Sequence, residues 1–140
     1  MKSIPVLLSA LALAAASDAR AETCRNVGAG VLTCTDQYGR VTRTITDTGS
    51  GTKTYTDAYG RQMGVSRDEG YGKRTYTDAY GHDVAVAHDK GGGATNYTDA
   101  RGRAAGTARN TDSGSVTYSD THGRPIKTCR NTKDGTIVCN

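Results

Sequence analysis

Three tyrosines recur at a spacing of 21 residues, Tyr38, Tyr59 and Tyr80, and two places after each stands a basic residue, Arg40, Arg61 and His82. The same two columns continue as Arg101 with Arg103 and His122 with Arg124. An aromatic ring beside a guanidinium can stack on a sugar ring and hydrogen-bond its hydroxyls or an acidic substituent. A second basic column, Arg25, Arg67, His88, Arg109 and Arg130, runs in parallel, and either column could track a polyanion such as an acidic polysaccharide. Asp or Asn lies close to each basic position, so local pairing competes with any ligand. Catalysis finds little to work with. His82, His88 and His122 are scattered and no Gly-x-Ser-x-Gly is present. The pairs His82-Asp83 and His88-Asp89 supply too few ligands for a metal. The expectation is no enzyme, no cofactor and no metal.

The elements that must position these side chains follow from the same period. Thr54-Tyr55-Thr56-Asp57-Ala58-Tyr59-Gly60-Arg61 returns 21 residues later as Thr75-Tyr76-Thr77-Asp78-Ala79-Tyr80-Gly81-His82, and related units start at Thr33, Asn96 and Thr117. Gly30, Gly51, Gly72, Gly93, Gly114 and Gly135 form one glycine column, and Gly39, Gly60, Gly81, Gly102 and Gly123 a second. Each marks a turn, because glycine takes positive φ without steric cost. Asp-x-x-Gly is the pattern that a type I turn followed by a glycine bulge prefers. Between the turns lie short stretches rich in Thr, Val and Tyr, such as Val41 to Thr46 and Thr52 to Thr56, which read as strands. The fold class expected is all-β: five to six 21-residue β-hairpin repeats, stacked as an antiparallel meander or a β-solenoid. Tyr38, Tyr59 and Tyr80 fall inside turns, where they face solvent. Tyr55, Tyr76, Tyr97 and Tyr118 fall in strands, where they read chiefly as core.

The cysteines occupy these columns too. Cys34 and Cys139 take the place of the strand tyrosines, and Cys24 and Cys129 the place of Ile45, Ser66, Ala87 and Ala108. Four cysteines allow three connectivities. Opposed positions in a terminal hairpin favour Cys24 to Cys34 and Cys129 to Cys139. By the same pairing Tyr76 would face Ser66 and Tyr97 would face Ala87.

Residues 1–21 read as a signal peptide: Lys2, an apolar run through Val6, Leu7, Leu8, Leu11 and Leu13, then Ala19-Arg20-Ala21 as a cleavage site. The run is too short to span a membrane, and Glu22 and Thr23 separate the site from Cys24, which argues against a lipid anchor. The expected product is one repeat domain, 22–140, secreted or periplasmic, where disulfides persist. The formal charge of the full chain is +4, too mild to call for a nucleic acid partner. Phe and Trp are absent while Gly numbers 18, so large apolar side chains are scarce and stacking of repeats has to supply stability.

The Tyr-Thr-Asp-x-x-Gly-Arg consensus with a second glycine turn resembles the Rhs or YD-repeat family across five units from Asp36 to Asp120. The matching turns are Asp36 with Gly39 and Arg40, Asp57 with Gly60 and Arg61, Asp99 with Gly102 and Arg103, and Asp120 with Gly123 and Arg124. The family carries Tyr directly before that Asp. Here Thr56 and Thr77 stand there, and Tyr55 and Tyr76 lie one place earlier, which turns the ring to the other face of a strand. The resemblance implies a bacterial secreted hairpin array in contact with carbohydrate or a cell surface. A weaker resemblance is to choline-binding cell-wall repeats, which rely on Trp. The function expected is non-enzymatic binding of a surface or extracellular polymer, carbohydrate first, through Tyr38, Tyr59, Tyr80, Arg40, Arg61, Arg103 and Arg124. One alternative is a subunit of an amyloid-like extracellular fibre that self-associates through strand edges. Another is ice binding through a Thr-x-Thr ladder, Thr33 with Thr35, Thr54 with Thr56 and Thr75 with Thr77.

Overall fold

A computed structural model describes residues 21–111 and 114–140; the signal peptide expected over residues 1–21 lies outside them but for Ala21. Twelve antiparallel strands follow one another: β1 (Glu22–Gly28), β2 (Val31–Thr35), β3 (Val41–Gly49), β4 (Thr52–Asp57), β5 (Gln62–Gly70) and β6 (Lys73–Asp78), then β7 (Asp83–Gly91), β8 (Ala94–Asp99), β9 (Ala104–Asn110), β10 (Ser115–Ser119), β11 (Pro125–Asn131) and β12 (Ile137–Cys139). Each pairs with its neighbours in sequence, and β1 pairs with β12, so the sheet closes into a barrel. This corrects the expected architecture. The twelve strands of the described residues follow the expected antiparallel meander, not a solenoid, and the meander does not stay open, because the first and last hairpins pair with each other. Closure removes the sheet edges that an open array would have to protect.

The two glycine columns sit at opposite ends of the barrel and do different work. At one end, Gly49, Ser50 and Gly51 all have positive φ (87°, 55° and 75°), the primed geometry that suits the twist of a tight hairpin. A Cβ on Gly51 would come within 2.7 Å of Asp68 Cβ on the next hairpin, so that position also needs the missing side chain for close approach. Asp68 N donates to Gly51 O at 3.0 Å, which continues the ladder from one hairpin to the next. The Gly-x-Gly at 28–30, 49–51, 70–72 and 91–93 spells this turn out. In the last two repeats Asp112 and Lys133 replace the first glycine in the sequence, and Gly114 N and Gly135 N donate to the carbonyls of Thr111 and Thr132. At the other end, Gly60 has φ of 79°, and a Cβ there would meet nothing within 4 Å, so only its backbone conformation matters.

Alternate residues point inward. The core is the strand tyrosines Tyr55, Tyr76, Tyr97 and Tyr118 with Ile45, Ala87, Ala108, Val116, Ile137 and the four cysteines. Tyr76 lies opposite Ser66 and Tyr97 opposite Ala87, as the columns indicate. On the other side Tyr55 faces Gly64, Tyr76 faces Ala85 and Tyr97 faces Gly106, whereas Tyr118 faces Lys127. Tyr76 and Tyr97, each flanked on both sides by small residues, fill the inward-facing layer by setting large side chains beside small ones. Cys24–Cys34 and Cys129–Cys139 are disulfides, each across a terminal hairpin with Cα atoms 3.9 and 4.0 Å apart. The seam lies between the two stapled hairpins, where β1 and β12 share three residue pairs. Neither disulfide crosses it.

Candidate functional site

Five turns share the rim at the Asp-x-x-Gly-Arg end, joining β2 to β3, β4 to β5, β6 to β7, β8 to β9 and β10 to β11. Each is built by one aspartate. Asp57 Oδ1 accepts the backbone NH groups of Tyr59 and Arg61, both at 2.9 Å, and Oδ2 accepts Arg61 Nε at 2.8 Å. Gly60 N donates to Asp57 O, and Asp57 N donates to Arg61 O. Asp36, Asp99 and Asp120 repeat the arrangement with Arg40, Arg103 and Arg124, and Asp78 with His82 Nδ1 at 3.2 Å. The backbone NH of Arg103, and that of Arg124, holds the Asp99 or Asp120 carboxyl below its ordinary value. In the Asp36 and Asp57 turns, burial works to raise the carboxyl. The backbone NH bonds from Arg40 and Arg61, together with those from Tyr38 and Tyr59 and the guanidinium's own bond and charge, outweigh it, and both carboxyls end below the ordinary value.

The side chains singled out in the sequence therefore share one rim. Tyr38, Tyr59 and Tyr80 are 71%, 84% and 87% exposed. Arg40 and Arg61 lie over the rings of Tyr38 and Tyr59, 5.2 and 5.3 Å from their centroids, a cation–π separation. Tyr80 and His82 have ring centroids 6.3 Å apart. Arg40, Arg61, Arg103 and Arg124 each place Nε on an aspartate while the guanidinium stays largely exposed. Local pairing thus coexists with exposure, because a carboxylate at the base of the turn orients the fork and leaves its outer nitrogens to solvent. Successive turns lie two strands apart, so neighbouring Tyr/Arg pairs are spaced by ~10 Å around the rim. The second basic column lies elsewhere: Arg25, Arg67, Arg109 and Arg130 stand exposed on the outer wall toward the opposite rim.

Sequence reasoning missed a polar group inside the same mouth. Glu22 Oε2 meets Arg43 Nη2 at 2.5 Å and Lys127 Nζ at 3.4 Å, all three side chains at most 14% exposed. These residues belong to the inward column that otherwise holds Gly64, Ala85 and Gly106. A charge recurring in a column of small residues was the available signal. Burial holds the Lys127 ammonium below its ordinary value, opposed by Glu22. The Glu22 carboxylate approaches the Cys24 and Cys34 sulfurs, but the disulfide leaves them no thiolate with which to hold a metal. Tyr71, fully exposed on the opposite rim, was also passed over. A shallow depression of about 420 Å³ on the outer wall, lined by Val65, Arg67, Thr75, Thr77 and Asp83, adjoins the Tyr80 turn at Gly81.

The fold and the rim together define a disulfide-stapled, closed antiparallel barrel that carries its repeated exposed side chains on one end. Among the described residues, no helix is long and apolar enough to cross a membrane. Compared with models of protein families and with curated proteins, the chain matches none. Solved structures do match. One is an X-ray structure of a protein from Arabidopsis thaliana, with TM-score 0.64 and 10% identity, covering 86% of this chain and 80% of that one. Likeness at that identity speaks for the fold alone. The two disulfides are compatible with an oxidising location, extracellular or periplasmic.

Proposed function

We propose that this protein is a non-enzymatic, exported binding module that takes a surface or extracellular polysaccharide across its Asp-x-x-Gly-Arg rim. The observation that carries the reading is the set of exposed tyrosines, Tyr38, Tyr59 and Tyr80, held on turns with an arginine beside the first two and a histidine beside the third. Exposed aromatic rings at regular spacing have no packing role, and an aspartate-built turn fixes their direction in advance of binding. A spacing of ~10 Å suits alternate rings of a linear glycan. Arg40, Arg61, Arg103 and Arg124 supply hydrogen bonds to ring hydroxyls from forks already oriented by their aspartates.

The alternatives draw less support. A fibre subunit needs unpaired strand edges, and β1 and β12 pair with each other, so the seam would have to open first. An ice-binding face needs a flat hydroxyl ladder. Thr33, Thr44, Thr56 and Thr75 lie on the outer wall of a closed, curved barrel. Affinity electrophoresis through soluble polysaccharides tests the reading. The double variant Tyr59→Ala, Tyr80→Ala is expected to lose retardation while keeping its far-ultraviolet circular dichroism. Unchanged retardation would refute the rim as the site, and unfolding would show the tyrosines to be structural.

A further inference from the structure

The five rim turns share a backbone and differ in charge. In the Asp36 and Asp57 turns one carboxylate faces one guanidinium, and the pair sums to zero. In the Asp99 turn the tyrosine column carries Arg101, so the turn holds two guanidiniums and one carboxylate, of which Arg103 alone makes the ion pair. That carboxylate is fully engaged: Oδ1 accepts the backbone NH groups of Arg101 and Arg103, both at 2.9 Å, and Oδ2 accepts Arg103 Nε at 2.8 Å. The Arg101 side chain makes no ion pair among the described residues, unlike Arg40, Arg61, Arg103 and Arg124. The turn lies immediately after that of Tyr80, two strands and ~10 Å along the rim. A chain of sugars stacked past Tyr59 and Tyr80 arrives next at Arg101.

The geometry points to an anionic subsite at Arg101 and Arg103, and so to a glycan bearing carboxylates as the rim's ligand. This rests on the rim reading above and narrows it. Tyrosine rings accept the faces of sugar rings whatever their charge. An exposed guanidinium without a carboxylate of its own is a planar fork of donors that matches a uronate carboxylate two bonds at a time. The Nη atoms of Arg103, held in place through Nε by Asp99, supply the second half of the cradle.

Polygalacturonate and its fully methyl-esterified form share one backbone and differ in charge, so they separate the two claims. The purified, oxidised protein is titrated with each. Wild type is expected to prefer the acid form, and rising salt should weaken binding of that form alone, since exposed charges are screened within about 10 Å at 0.1 M. Arg101→Ala should weaken binding of the acid form by roughly tenfold, the loss of one charge-assisted contact, and leave the ester form unchanged. Arg101→Lys should recover part of that loss. Equal affinity of wild type for both forms, or an Arg101→Ala variant that binds the acid form as wild type does, overturns the subsite. The rim reading then stands, provided the Tyr59→Ala, Tyr80→Ala variant loses both polymers. Retention of both polymers by the tyrosine variant, or failure of wild type to bind either at millimolar sugar, overturns the rim reading and the subsite together.

Discussion

The buried tyrosines should make this barrel lose stability in alkali, with a size that single hydroxyl deletions can apportion. Tyr55 and Tyr76 are 0% and 1% exposed. Burial pushes both phenols well above their ordinary value of 10.0, against a hydrogen bond to Ser66 in Tyr55 and with the neighbouring phenols of Tyr97 and Tyr55 adding to it in Tyr76. A group with a raised folded pKa contributes stability that is whole below its unfolded pKa and is lost as pH rises beyond it. In the unfolded chain each phenol ionises near pH 10, while in the barrel it stays protonated. Each therefore subtracts about 1.4 kcal/mol between roughly pH 9 and 11, and the two together about 2.7 kcal/mol. With a urea slope of about 2 kcal/mol per molar for a domain of this size, the midpoint should fall by more than about 1 M. Lys53 and Lys127, lowered chiefly by burial, act in the opposite sense, adding stability as pH climbs toward 10.5. They are common to wild type and variants and cancel in the comparison. The decisive variant is Tyr76→Phe, because Tyr76 Oη has no hydrogen-bond partner among the described residues, whereas Tyr55 Oη meets Ser66 Oγ at 3.2 Å. Removing an unsatisfied buried hydroxyl costs little and can stabilise, so Tyr76→Phe should match or exceed wild type at pH 7 and lose about 1.4 kcal/mol less than wild type in alkali. Tyr55→Phe should spare about the same amount, after giving up about 1 kcal/mol at pH 7. Urea unfolding followed by circular dichroism at the two pH values makes the measurement. Equal alkaline losses in wild type and Tyr76→Phe would refute the claim that the phenol is held protonated inside the barrel.

Three further outcomes follow from the geometry. Gly60→Ala should cost about 1 kcal/mol, the strain of positive φ in open space, and Gly51→Ala appreciably more, since its Cβ would also meet Asp68 Cβ at 2.7 Å; equal costs in chemical denaturation would contradict the close approach between hairpins. Glu22→Gln strips the anion from between Arg43 and Lys127 and should destabilise the barrel by about 3 kcal/mol, with hydrogen exchange rising first in β1 and β12; a neutral result would show that the triad contributes nothing to the seam. The rim carboxyls, held below 3.8 by backbone NH bonds at Asp99 and Asp120, give stability present above that value and lost as pH falls past it. Glycan binding should therefore weaken in acid before the circular dichroism of the strands changes, and simultaneous loss of both would tie the rim to global unfolding.

Much of this was legible in the sequence because it is local. The period of 21, the two turn columns, the inward strand tyrosines, their small partners Ser66 and Ala87, and both disulfides all follow from which residues oppose one another within a single hairpin. The exposure of Tyr38, Tyr59 and Tyr80 followed from their place inside turns. The two turn columns read alike in the sequence, and only the structure separates the three positive-φ residues at 49–51 from the Asp-x-x-Gly turn at 57–60.

Closure belonged to the tertiary structure. Whether successive hairpins coil away or curl back depends on twist and stagger accumulated over twelve strands, and on the three pairs between β1 and β12, residues more than a hundred positions apart. No column of the repeat contains that pairing. It also decided that Glu22, Arg43 and Lys127 meet inside one mouth, since Lys127 reaches Glu22 only when the ends join. And it arranged the five Asp-built turns around a single rim, with the glycine-only turns and the second basic column toward the far end. The sequence by itself determined the hairpin, because its contacts are short-range and repeated; the barrel emerged only from the sum of those repeats meeting at the seam.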